Sequence, residues 1–244
     1  MEADIPPLIA LENVQFAPEA TPVLRDISLR ASERRIAIVG RNGSGKTSLA
    51  RIIAGLVLPD EGRVRIAGVD VGKDRRAALK VVGVLFQNPD HQIIFPTVEE
   101  EIGFGLTQLG QSKAEAARNV TAILERFGKS HWARAAIHRL SQGQRQLVCL
   151  MAVLAMRPKV ILLDEPFAGL DIPTSLHLER VLDGIDATLL QITHDPATVQ
   201  HYDRVVWLDE GSIRQQGAPA VVLPAFTAAM TELGGVDDLS DLAG

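Results

Sequence analysis

The run Gly40-Arg41-Asn42-Gly43-Ser44-Gly45-Lys46-Thr47-Ser48 fits the pattern G-x-x-x-x-G-K-[ST] and follows an apolar stretch, Arg35-Ile36-Ala37-Ile38-Val39. Strand, glycine loop and helix, in that order, are what a phosphate-gripping loop requires. Gly40, Gly43 and Gly45 let the backbone curl until successive N–H groups converge on phosphate oxygens. Lys46 adds a point charge for the β- and γ-phosphates, and Thr47 brings a hydroxyl suited to Mg²⁺. The helix expected from Lys46 to about Ala54 turns its positive end toward the same anion. A glycine turn beside a solvated lysine is the alternative, and the buried strand directly upstream argues against it. The chain is therefore expected to build an α/β unit around a nucleoside triphosphate.

The bulk numbers agree with such a unit. With 244 residues, 46% of them hydrophobic, the chain can bury a large core as one large or two small domains. A formal net charge of −5 disfavours a general nucleic-acid partner. The single cysteine, Cys149, lies in an apolar helical run, which excludes a disulfide framework within the chain and reads as a small core residue in a reducing compartment. The start, Met1-Glu2-Ala3-Asp4, is acidic and unlike a secretion signal, and no apolar run approaches the roughly 18 residues that span a bilayer. Any membrane role is expected to run through a partner.

Along the chain, residues 9–16 and 23–29 read as strands joined by a proline-bearing turn at 17–22. Residues 34–39 lead into the glycine loop, and 63–66 with 69–71 suggest further short strands in an antiparallel side sheet. Residues 77–86 read as a buried strand ending at Gln87-Asn88-Pro89-Asp90. The spacing turns helical from 97 to 127, with Val98, Ile102 and Leu106 on one face, then Ala116, Val120, Ile123, Leu124 and Phe127 on the next. Ser112 and Glu115 form a capping-box pattern between the two. A helix is expected from 140 to about 156, a strand over 159–163, a helix over 176–182 and a strand over 187–192. A hairpin closes at Asp209-Glu210-Gly211. The acidic tail, 231–244, is expected to fray. The resulting fold class is α/β, with a mainly parallel core sheet, an antiparallel side sheet and a helical insertion.

Val160-Ile161-Leu162-Leu163-Asp164-Glu165 places two carboxylates at the end of a buried strand, the sheet end where ligands of such folds collect. Asp164 suits Mg²⁺, and Glu165 can polarise the attacking water beside the γ-phosphate. Acidic residues also end strands and cap helices for purely structural reasons, but the loop upstream favours chemistry. Leu140-Ser141-Gln142-Gly143-Gln144 then puts a good N-cap, Ser141, at a helix start whose N–H groups can meet a second anion.

With these motifs in this order the chain resembles the ATP-binding cassette (ABC) ATPases, whose signature is Leu-Ser-Gly-Gly-Gln, across about residues 8–217. The resemblance implies one P-loop NTPase domain over 1–244 with a helical part at about 88–156, ATP and Mg²⁺ as ligands, and a head-to-tail dimer with a second copy or a homologue. It implies phosphate contacts from Gly40 to Ser48 and, from the partner, from Ser141, Gly143 and Gln144. It further implies that Gln87 touches Mg²⁺, that Ala168-Gly169-Leu170-Asp171 crosses the dimer interface, and that His194 contacts the γ-phosphate. Five other histidines, at 91, 131, 138, 177 and 201, read as surface or helix residues. Gln142 replaces the first signature glycine. Ala17 and Pro18 stand where the adenine-stacking aromatic usually falls, which leaves Phe16 as either base platform or core.

The run Phe86-Gln87-Asn88-Pro89-Asp90-His91-Gln92 and the helix after it are similar to the ATPase components of energy-coupling-factor (ECF) vitamin and metal-ion transporters. That resemblance implies docking of a transmembrane T component near Gln87 and 89–106, a substrate-binding S component, no direct contact with cargo, and a peripheral place on the cytoplasmic face of the cell membrane. Biotin is the first cargo it suggests, cobalt or nickel the second. A conventional ABC importer or exporter subunit, a soluble cassette ATPase and a nucleotide-binding regulator without turnover are the rival readings. The last is disfavoured by the presence of both Glu165 and His194.

Overall fold

The computed structural model describes residues 6–236, and within them two sheets enclose one helix. The larger sheet has six strands in the order β10-β9-β3-β8-β7-β6. These are β3 (Arg35–Val39), β6 (Val82–Leu85), β7 (Val160–Asp164), β8 (Thr188–Thr193), β9 (Arg204–Asp209) and β10 (Ser212–Gly217). All neighbouring pairs are parallel except β9 with β10, which close as the expected hairpin. The smaller sheet is antiparallel, with four strands in the order β2-β1-β4-β5: β1 (Ile9–Phe16), β2 (Leu24–Ala31), β4 (Glu61–Ile66) and β5 (Val69–Asp70).

Side chains on a strand alternate between faces, and that alternation divides the core. Ile36 and Ile38 of β3, Val160 and Leu162 of β7, and Leu190 and Ile192 of β8 point toward the smaller sheet. They pack there around α1 (Lys46–Ile53), whose Leu49, Ala50, Ile52 and Ile53 are buried. Ile161, Leu163 and Leu189 face the other way, onto a helical layer. That layer comprises α3 (Val98–Gln108), α4 (Lys113–Arg126), α5 (Gln142–Ala155) and α6 (Ile172–Asp183). Each fully buried aliphatic side chain here contributes about 1.5–3 kcal/mol over its exposed state. The Ser112–Glu115 capping box is formed in both directions at the start of α4. Cys149 is fully buried in α5, and burial pushes its thiol up to about 12.

Three expectations need correction. Residues 77–81 are not strand: α2 spans Arg75–Val81, because the Asp74 side chain accepts from the Ala77 N–H at 2.8 Å and the next residues are good helix formers. The helix before β8 begins four residues sooner than the expected 176, since Asp171 caps it from the Thr174 N–H at 2.9 Å. The closing hairpin is followed by α7 (Pro219–Val236), which packs Val222, Leu223 and Phe226 against Val205 and Trp207 of β9 and Ala37 and Val39 of β3. Pro224 is tolerated inside α7 because the carbonyl it leaves without a partner, four residues back, is that of exposed Ala220 in the first turn. Residues 231–236 are thus helical, and the rest of the expected fraying tail lies outside the described residues.

Candidate nucleotide site

Register brings the site together. In the parallel sheet Val39 pairs with Thr193 and Asp164 with Ile192, so β3, β7 and β8 end at one edge. The residues that follow them are the glycine loop, Glu165 and His194. β6 ends beside them and delivers Gln87 two residues on. A cleft of about 380 Å³ at this edge is lined by Asn42, Gly43, Gly45, Lys46, Thr47, Ser48, Gln87, Asp164, Glu165, His194 and Val23. Such an edge is where open α/β sheets hold ligands.

The loop is shaped by close approach. A Cβ on Gly40 would stand 2.4 Å from the Leu208 carbonyl oxygen and 2.6 Å from Ser44 Oγ, so only glycine fits. Gly45, at φ 100°, starts α1 in a left-handed conformation that side chains avoid. Lys46 is buried, and its Nζ donates to the carbonyls of Gly40 at 2.7 Å and Arg41 at 2.8 Å, which fixes the ammonium within the loop. Burial lowers its pKa, while Glu165 and Asp164 pull the other way. Arg41 turns outward, 3.9 Å from Glu210. Ser44 is buried, with no hydrogen-bond partner for its Oγ among the described residues.

Asp164 is raised above the usual carboxylate value by burial and by the charge of Glu165, with Lys46 and Arg51 partly offsetting this. Glu165 leaves the strand at φ 47°, a backbone region uncommon for a side-chain-bearing residue. Its Oε1 accepts from the His194 N–H at 2.9 Å and lies 2.7 Å from His194 Nδ1, while its Oε2 accepts from Thr193 Oγ1 at 3.1 Å. With Nδ1 donating to the carboxylate, Nε2 is the ring atom left to face another group. Thr47, Gln87 and Asp164 offer oxygen donors to the same cleft, a set suited to a hard cation such as Mg²⁺.

Two groups of residues singled out in the sequence stand apart from this cleft. Phe16 is half-buried and packed against the core between the sheets; the apolar lining of the cleft comes instead from Val23, which only the fold could place there. Ser141, Gly143 and Gln144 sit at the N-terminus of α5 and do not line the cleft. The Ser141 Oγ accepts from the Gln144 N–H at 3.3 Å and the Gln144 side chain accepts from the Ser141 N–H at 2.9 Å, a closed capping box on an exposed tip.

Below Gln87 the backbone is held from two sides. Phe86 donates its N–H to the Gln92 side chain at 3.2 Å, and its carbonyl accepts from buried Gln146 of α5 at 3.2 Å. Asp90 lies 3.0 Å from Arg145 Nε, and Arg145 also donates to the Leu140 carbonyl at 2.7 Å. Neither Gln146 nor Arg145 stands out in the sequence, because their partners lie some 55–60 residues away in the chain.

Residues 24–168 match the family pattern described as ABC transporter, and the chain belongs to that family of ATP-binding, ATP-hydrolysing proteins, P-loop NTPases by their fold. Among its relatives, the biotin transport ATP-binding protein BioM of Rhodobacter capsulatus is 51% identical over 225 residues, covering 92% of this chain and 96% of BioM. The energy-coupling factor transporter ATP-binding protein EcfA1 of Enterococcus faecalis is 34% identical over 237 residues, covering 93% of this chain and 85% of that protein. Among solved structures, cbiO1 of Clostridium perfringens, part of the ABC transporter complex cbiONQ, superposes with a TM-score of 0.78 at 28% identity, over 94% of this chain and 96% of that one. No helix among the described residues is long and apolar enough to cross a membrane.

Proposed function

We propose that this protein is the ATPase subunit of an ECF-type transporter for biotin, working on the cytoplasmic face of the membrane as a head-to-tail dimer joined to transmembrane subunits. The observation that carries the reading is the convergence of Lys46, Thr47, Gln87, Asp164, Glu165 and His194 on one cleft while the Ser141 tip faces outward. Identity with BioM over nearly the whole of both chains supports the cargo.

The chain acts as one ATPase domain over 1–244, with residues 88–156 as its helical part. The loop amides of 40–48 and the Lys46 ammonium bind the phosphates; Thr47, Asp164 and Gln87 would hold Mg²⁺, which would supply positive charge against the phosphates. Glu165 accepts the proton of the attacking water, and His194 reports the γ-phosphate from Nε2. The partner's copy of Ser141, Gly143 and Gln144 completes the site, so ATP favours closure and hydrolysis releases it. Phe16, whose carbonyl accepts from the Val23 N–H at 2.8 Å, on this reading supports the base end of the cleft through Val23.

Docking of the membrane subunit falls near Gln87 and 89–106. Ile94 is 68% exposed, and Phe104 meets Phe95 at a tilt with ring centroids 5.1 Å apart, so this segment presents apolar side chains at the surface. The test is genetic and biochemical together. Untagged protein purified from membranes of its own host should carry integral membrane partners, and cells lacking it should lose high-affinity biotin uptake. Undiminished uptake in those cells would remove biotin as the cargo.

A further inference from the structure

Gln142 stands where the family signature has its first glycine, and its side chain is not idle. Its Nε2 donates to the Ala168 carbonyl at 3.4 Å. The neighbouring Gly169 sits at φ 73°, and a Cβ there would lie 2.9 Å from the same Nε2. The two helix starts are pressed together alongside: a Cβ on Gly143 would stand 2.3 Å from Thr174 Cγ2, and Thr174 donates its N–H to the Asp171 cap at 2.9 Å. Residue Ala168 reaches further, because its N–H, one peptide unit before that carbonyl, donates to the Glu165 carbonyl at 3.1 Å. A chain of two hydrogen bonds through Ala168 thus runs from the tip of α5 to the backbone of Glu165. Glycine at position 142 would omit its first link.

We infer that Gln142 is a positioning residue that ties the Ser141 tip to the 168–171 loop and so makes the two nucleotide sites of the dimer act as one. This rests on the head-to-tail reading above, in which the tip of one copy meets the phosphates held by the other while Glu165 serves the phosphates of its own chain. Contact at the tip then fixes the loop leading from Glu165, and the signal crosses from one site to the other within a single chain. A two-state element biased by both sites is what cooperativity requires.

The experiment follows ATP hydrolysis by the full chain as a function of ATP. The native protein should show a Hill coefficient approaching about 2, the number of sites. Gln142→Glu keeps the shape and loses the donor, and Gln142→Gly removes the side chain; both should bring the coefficient to about 1. Gln142→Lys retains a donor of similar reach and should restore most of it. Melting temperatures within a few degrees of the native value for all three separate this from a merely structural role. A native coefficient in Gln142→Glu would overturn the inference. ATP-dependent dimerisation, followed by sedimentation in a Glu165→Gln background, separates the two readings. A dimer with unaltered cooperativity in Gln142→Glu sinks only the role of Gln142, whereas no dimer at all sinks the head-to-tail reading and this one with it.

Discussion

The loop at 40–48 and the helix tip at 141–144 both gather backbone N–H groups at a helix start, yet they are held in opposite ways. The loop is built inward: Gly40 is pinned against Leu208, Lys46 is buried, and its ammonium is bound to two carbonyls of the loop itself. The tip is built outward: Ser141 and Gln144 satisfy each other at an exposed surface, and Gln142 leans on the 168–171 segment. One is preorganised for an anion within its own chain. The other has its nearest donors occupied locally, and on the proposed head-to-tail reading it would meet a ligand carried by another copy. Substitutions in the loop should therefore act inside the protomer, and substitutions at the tip between protomers.

The sharpest way to break this division is at Glu165, the proposed base of the loop site. Glu165→Gln should cut turnover by roughly 10²–10⁴-fold, the usual contribution of a general base, while ATP binding and dimer closure persist. Phosphate release and filter binding measure the two effects, and undiminished release would remove Glu165 as the base. Lys46→Ala should weaken ATP binding by about tenfold to a hundredfold, the worth of charge-assisted hydrogen bonds, in titration calorimetry on dilute protein. Ser141→Ala should leave that dilute-protein affinity near native, lower turnover, and cost about 1 kcal/mol of stability through the lost cap. If it weakened binding as much as Lys46→Ala does, the two regions would not be distinct.

The smallest effect is on pH. Asp164 is raised above its ordinary value of 3.8, so protons compete for it at less acidic pH than for an exposed aspartate. Mg²⁺-dependent nucleotide affinity should fall as pH drops through that raised value, and the acid limb should vanish in metal-free titrations. On the alkaline side Lys46 is lowered from 10.5, so affinity should fall before an exposed lysine would lose its proton. An acid limb that survives without metal would place the titrating group elsewhere.

Most of the site could be read in the sequence because each piece is local: a loop of nine residues, two carboxylates at a strand end, a capped helix. Register then did the assembly, since strands of alternating or continuous apolar residues had only one edge at which 39, 164 and 193 could end together. What escaped was set by distant partners. Residues 77–81 carry β-branched Val81 beside Val82, and the apolar run masked the Asp74 cap that starts α2. In α7, Pro224 hid a helix whose buried residues, Val222, Leu223 and Phe226, follow helical spacing. Val23 reaches the cleft, and Gln142 reaches Ala168, only through the fold.

Cys149 is fully enclosed in the middle of α5, with its thiol pushed up to about 12. Because it is the chain's one cysteine, the outer surface offers maleimide or nitroxide reagents nothing to react with. A single cysteine placed on exposed Leu176 or Val221 would become a unique handle, and the spacing between two such handles would report the opening and shutting of a paired molecule directly.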